Sequence, residues 1–270
     1  MKRIITNLAK AILPHSFRLG LRKLNWKRKY YSQILRNKYD ENVYCPIEER
    51  EFRCFVTKKE GVWETHMTVT NGAKDRHRLV WLYLKNKTNL FKQPSSLLHI
   101  APEYCYLEKL KNIPTIQYLP GDKMVKGYGK QNDIAYMDLL NLDIADNAID
   151  YVLCNHVLEH IPDDITAMKE MFRVLKRQGT AIITVPIDES IDKTYEDFSI
   201  TTPAEREKHF GQWDHVRWYA PDIKDRLESV GFDVKIVRYG AEFSPGDYKR
   251  YGLCDDPIIV ATKPIVRGET

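Results

Sequence analysis

From residue 97 onward the chain alternates short apolar runs with amphipathic stretches, and this switching of period is what most narrows its fold. The apolar runs cover 97–100, 115–118, 149–154, 180–185, 234–239 and 258–262. Between them, residues 163–175 set Ile165, Met168, Met171, Phe172 and Leu175 on one helical face, and residues 221–230 repeat the logic with Ile223, Leu227 and Val230. Strand-length runs separated by helix-length stretches predict an α/β chain with a mostly parallel, doubly wound sheet. In such sheets ligands bind where the strands end at their carboxyl side, beside the switch in strand order. An earlier helix is predicted over 75–84, with a polar linker after it.

Composition excludes several classes. With 270 residues, 43% hydrophobic and 29% charged, the chain is neither disordered, nor collagen-like, nor a multi-pass membrane protein. Its apolar stretches fall far short of the roughly 20 residues of a membrane span, and no signal peptide is apparent. Five scattered cysteines do not form a disulfide framework, so a reducing, cytoplasmic location is expected.

Charge is split unevenly. Of the 42 Lys and Arg, eleven fall in residues 1–39, which hold no Asp or Glu; the other 231 residues carry 31 basic against 37 acidic side chains. Ile4, Ile5, Leu8 and Ile12 share one helical face, Pro14 interrupts, and Leu21, Leu24 and Trp26 then alternate with basic residues. Such a segment suits the anionic inner face of a membrane, packing on its own domain or a partner subunit, or a nucleic-acid arm. Oligomeric state is not encoded in any visible pattern.

Chemistry concentrates where strands end. The run 149–154 delivers Asn155-His156-Val157-Leu158-Glu159-His160 at its exit, and the following helix closes on Arg173-Val174-Leu175-Lys176-Arg177-Gln178-Gly179. This resembles the fourth and fifth strands of class I methyltransferases that use S-adenosylmethionine (SAM), of the type 11 family, whose pattern there is S/N-H-V-L-E-H followed by R-V-L-K-x-G-G. The resemblance covers roughly residues 45–263 and implies a Rossmann-like sheet of seven strands, the last antiparallel, with SAM as cofactor. It places Ala101, Pro102 and Glu103 in the first cofactor loop, where the usual Gly-x-Gly-x-Gly is missing and a His-x-Ala-Pro-Glu subgroup pattern stands instead. It further implies Asp122 on the ribose hydroxyls, Asp138 and the Leu139 amide on the adenine edge, and Asn155 and His156 lining the site.

A second cluster, Thr194-Tyr195-Glu196-Asp197 and Phe210-Gly211-Gln212-Trp213-Asp214-His215-Val216-Arg217-Trp218-Tyr219, lies in a long segment without apolar periodicity. Loops of that length are commonly functional. Methyl transfer asks a protein to align the acceptor and remove its proton. His215 has the intrinsic pKa range of a general base, with Asp214 or Glu196 to orient it. Arg217 is the expected anchor for an anionic acceptor, with His160, Tyr195, Gln212 and Tyr219 as further acceptor contacts.

Three segments are expected: a basic amphipathic stretch (1–40), a small module with a helix (41–88) and the main domain (89–266). The module resembles a zinc knuckle that precedes the domain in this subgroup, but of its four cysteine positions only Cys45 remains; Glu48, Thr68 and Asn71 hold the others. One thiolate cannot hold structural zinc, so no metal is expected. The resemblance implies a SAM-dependent methyltransferase acting on an oxygen or nitrogen of a small molecule or lipid-linked glycan. The net-acidic body argues against nucleic acid. The competing readings are a non-catalytic module of the same fold and an RNA methyltransferase using the basic arm.

Overall fold

The computed structural model describes residues 15–36, 41–60, 63–124 and 134–265. The helical face expected within 1–13 lies outside the described residues. The chain opens with α1 (His15–Arg36), two small hairpins formed by β1 (Val43–Cys45) with β2 (Arg50–Phe52) and β3 (Val56–Glu60) with β4 (Trp63–Met67), and α2 (Asp75–Lys87).

The main sheet follows. β5 (Ser95–Ile100), β6 (Ile116–Asp122), β7 (Ala135–Tyr136), β8 (Ile149–Asn155), β9 (Leu175–Thr184), β12 (Asp233–Val237) and β13 (Ile258–Thr262) form seven strands in the order β12-β13-β9-β8-β5-β6-β7. β13 runs antiparallel to both neighbours, while β5, β6, β7, β8 and β9 are mutually parallel. Strand order reverses between β5 and β8, which creates the switch point. β7 is only two residues long, too short to leave an apolar run in the sequence.

Successive strand residues face opposite sides, and the core divides accordingly. Leu97, Leu153, Ile182 and Ile258 pack on one face with the N-terminal module, α2 and α3 (Tyr104–Leu110). Leu98, Val152, Cys154, Ala181, Ile183 and Ile259 pack on the other with α4 (Asp164–Val174) and α6 (Ile223–Ser229). Among the described residues the module shares its core with the sheet.

The positions expected from the zinc-knuckle resemblance are tied by hydrogen bonds. Thr68 Oγ1 donates to Asn71 Oδ1 at 2.8 Å, Thr70 Oγ1 donates to Glu48, and Cys45 is a buried apolar filler whose thiol is pushed up to about 11 by burial. The wholly buried Arg78 guanidinium donates to the carbonyls of Ala73, His66, Tyr251 and Gly252 and lies 3.7 Å from the Phe55 ring centroid.

The long segment expected to lack regular structure contains α5 (Pro203–Phe210), and β10 (Tyr195–Glu196) pairs with β11 (Arg217–Trp218). The helix has a start signal that periodicity does not register: Thr202 caps Glu205 N at 3.3 Å, Pro203 occupies the first turn, and Thr202 Oγ1 also bonds the Glu205 carboxylate. One further departure sits before β9's apolar half. Gln178 occupies the glycine position of the R-V-L-K-x-G-G pattern and adopts φ 62°, a left-handed conformation that L side chains disfavour.

Candidate active site

Two strand exits flank the switch point, and both turn abruptly. Ala101 after β5 has φ 48°, and His156 after β8 has φ 52°. Each is pinned by a short backbone bond: Ala101 N donates to Gly121 O at 2.7 Å and His156 N to Thr184 O at 2.7 Å. Strained backbone held by its surroundings is typical of sites that must place groups accurately. At Gly121 a Cβ would lie 2.3 Å from Met137 Sδ, so β7 can approach β6 only because the side chain is absent.

Between these exits Asn155 is buried at the end of β8. Its Oδ1 accepts from Thr184 Oγ1 at 3.1 Å, whereas its Nδ2 has no hydrogen-bond partner among the described residues. An unmet buried donor is costly unless something binds it. Asp122 Oδ1 accepts from Met124 N at 2.7 Å, capping the turn after β6. Asp138 accepts from Leu140 N at 3.1 Å and pairs with Lys123 at 2.7 Å, and that lysine holds its carboxyl below the usual range. Leu139 is buried beside it. Ala101, Asp122, Asp138, Leu139, Asn155 and His156 thus come from adjacent strand exits.

Pro102 shares this loop, but Glu103 turns away from it. Its Oε2 lies 2.9 Å from Nε2 of the fully buried His99, and its Oε1 is 3.6 Å from His77 Nε2, beneath the sheet. The carboxylate expected to meet cofactor instead sits against two buried histidine rings.

The second half of the site centres on a 3-10 turn, Leu158–His160. Glu159 is 1% exposed; its Oε1 accepts from His156 Nδ1 at 3.2 Å, and its Oε2 has no hydrogen-bond partner among the described residues. Burial alone would raise its pKa, but the His156 hydrogen bond and the nearby His160 and His215 hold it at about 2. The His160 and His215 rings meet edge to face at 4.7 Å between centroids. His160 Nδ1 lies 3.3 Å from the Asp214 carbonyl and 3.5 Å from its carboxylate, which also accepts from Gln212 Nε2 at 2.8 Å.

His215 is oriented by neither Glu196 nor the Asp214 carboxylate. It is 4% exposed, its Nδ1 donates to Phe210 O at 3.0 Å, and burial lowers its pKa. Glu196 belongs to another network, accepting from Arg217 Nε and Arg226 Nη2, each at 2.9 Å. Arg226 also bonds both oxygens of Asp164, which accepts from Tyr219 OH at 2.6 Å. Arg217 is 1% exposed and donates to the carbonyls of Leu158, Ile161 and Pro162. This geometry does not leave Arg217, Tyr219 or Glu196 open to an acceptor; they brace the turn that carries Glu159 and His160. Tyr195, on the outer side, bonds His209 Nδ1 at 3.0 Å. The sequence reading missed Glu159, because an acidic residue in a turn ordinarily faces water.

Residues 119–183 match the family described as a methyltransferase domain. Together with the strand order, this makes the chain a class I methyltransferase-fold protein. A demethylmenaquinone methyltransferase of Staphylococcus haemolyticus is 35% identical over 120 residues, covering 39% of this chain and 49% of that one. The corresponding protein of Staphylococcus carnosus is 39% identical over 75 residues, 28% of this chain and 24% of its own. The chain thus spans about half or less of the length of these curated relatives. Among solved structures, a SAM-dependent methyltransferase from Archaeoglobus fulgidus superposes with a TM-score of 0.43 at 19% identity, covering 68% of this chain and 93% of that one. Among the described residues no helix is long and apolar enough to cross a membrane.

Proposed function

We propose that this protein transfers a methyl group from SAM to an oxygen or nitrogen nucleophile of a small acceptor. The observation that carries this reading is the unpartnered buried Asn155 amide between two sharply turned strand exits, in the stretch where the methyltransferase-domain family matches. The residues fit the cofactor. Asn155 offers a desolvated donor, Asp122 and Asp138 offer acceptors for hydroxyl and amine groups, and the Leu139 amide lies beside them. The small Ala101 side chain keeps the loop narrow without Gly-x-Gly-x-Gly. When bound, SAM supplies an activated methyl group on a sulfonium.

The chain's own task is to orient the acceptor and take its proton. His156 suits that task better than His215. Its ring stays partly open, with a side chain 22% exposed, and Glu159 holds its Nδ1. A carboxylate on one ring nitrogen fixes the tautomer and leaves Nε2 as the proton acceptor, as in other carboxylate-histidine bases. Burial lowers the His156 pKa, keeping the ring neutral at pH 7.

An acceptor at a membrane surface, such as a lipid-linked glycan or a quinone, is supported by α1. Leu21, Leu24, Tyr31 and Leu35 are exposed on a helix rich in Lys and Arg. Part of the chain matches demethylmenaquinone methyltransferases; a quinone would take the methyl on a ring carbon rather than on oxygen or nitrogen, and it is the alternative that the acceptor test separates. Calorimetry of the full chain with SAM is the first test: saturable binding is expected, and none at high micromolar cofactor sinks the reading. Methyl transfer from labelled SAM to extracted lipids or to demethylmenaquinone then separates the acceptors.

A further inference from the structure

The geometry points to a divalent transition-metal site, best suited to zinc, formed by Glu159, His160 and His215. Each of the three offers one ligand atom, and these atoms lie within 4.8 Å of one another; among the described residues theirs is the one such group. A zinc ion with ligands at about 2.1 Å in tetrahedral geometry needs donor atoms about 3.4 Å apart, a closure within reach of small side-chain rotations.

Three features separate this group from a chance cluster. First, the buried Glu159 carboxylate keeps one oxygen without a partner, although its other oxygen is held by His156. Second, both histidines have their outer nitrogens occupied by acceptors. His215 Nδ1 faces the Phe210 carbonyl and His160 Nδ1 faces the Asp214 carbonyl. A carbonyl only accepts, so each Nδ1 carries the proton and each Nε2 keeps its lone pair. Acceptors behind the histidines are the supporting arrangement found around metal ligands. Third, Arg217 fixes the turn from behind through the Leu158, Ile161 and Pro162 carbonyls, and the Trp63 ring closes over His215 at 6.0 Å between centroids. The ligands are thus preorganised by groups that do not themselves coordinate.

Two imidazoles and one carboxylate are a borderline donor set that suits zinc or ferrous iron better than magnesium or calcium. Three protein ligands leave a fourth position for water or another oxygen ligand. That position opens on the side of His160, whose side chain is 26% exposed. No local spacing marks this group, since two of the ligands sit 55 or more residues from the third. None of the three is among the residues proposed to hold SAM.

The test uses the full chain, stripped with chelator and titrated with Zn²⁺ by calorimetry, then with Co²⁺ by visible absorption. One equivalent is expected to bind, with cobalt bands of nitrogen and oxygen ligation. H160N and H215Q should each weaken binding about tenfold or more while keeping the wild-type circular dichroism spectrum. E159Q, which keeps the shape but loses the charge, should do the same. Three outcomes overturn the proposal: no stoichiometric binding, binding unchanged in H160N and H215Q, or cobalt-thiolate charge-transfer bands that place the metal on the cysteines. SAM binding to the metal-free chain is read separately, so failure of one inference is distinct from failure of the other.

Discussion

Arg78 Nη2 donates to the Gly252 carbonyl at 2.6 Å across 174 residues of sequence. The same side chain reaches Tyr251 O at 2.6 Å, Ala73 O at 2.7 Å and His66 O at 3.0 Å. One buried cation therefore satisfies the end of α7 (Pro245–Tyr251), the end of β4 and the entry to α2 at once. In the small N-terminal module, this guanidinium crosslinks the chain. Arg78→Met takes the donor from these carbonyls, of which Ala73 O keeps the Thr68 N–H at 3.0 Å; each buried carbonyl left unmet costs about 1–3 kcal/mol. A loss of about 3–5 kcal/mol is expected, read as a lower urea midpoint; a change below about 1 kcal/mol would show that the module does not depend on the crosslink.

Arg217→Lys separates a brace from a substrate anchor. A lysine cannot reach three carbonyls and Glu196 in a planar fork. Stability should fall by about 2–4 kcal/mol, and turnover should fall with the displaced turn. Loss of acceptor affinity alone, at unchanged melting temperature, would restore the anchor role.

Asn155→Ala removes the unmet donor without creating a large void. SAM affinity should drop about tenfold, consistent with about 1–3 kcal/mol for a buried hydrogen bond, while thermal stability changes little, the lost bond to Thr184 Oγ1 offsetting the removal of the unmet donor. Isothermal titration decides; unchanged affinity would move the cofactor away from the switch point.

Acid should destabilise the fold well before the carboxylates titrate. His77, His156 and His215 all have pKa values lowered below 6.5, chiefly by burial. Below pH 6.5 the unfolded chain takes up protons that the folded chain refuses, so stability falls as pH falls. Glu159, held at about 2, adds a further loss below about pH 4.5. Urea midpoints at pH 7.5 and 5.5 should show a decline, and a flat profile would contradict these burials.

Gln178→Gly should stabilise the protein by about 0.5–1 kcal/mol. Relief of a left-handed backbone costing roughly 1–2 kcal/mol outweighs the added freedom of the unfolded glycine. Melting temperature reads the sign directly.

The sheet was legible in the chain because burial on both faces leaves continuous apolar runs. The 258–262 run matches β13 residue for residue, and 149–154 falls one residue short of β8. The exit of β8 was legible for the same reason: a polar Asn155-His156 pair ending a buried strand has few other places to go. Local pattern could not assign partners. Arg217, Glu196 and Tyr219 carry the residue types of an acceptor site, yet Arg226 and Asp164, from separate helices, bind them into a brace.

What the sequence determined by itself was the class of sheet and where its buried strands end in polar residues, both set by local periodicity and residue type. Only the tertiary structure decided which polar groups meet. It turned Glu103 beneath the sheet to His99, and it set Glu159 and His160 against His215, 55 residues away. Contacts over such separations follow from how strands and turns pack in three dimensions, and in the low-dielectric interior a carboxylate's role depends on the partner that packing supplies.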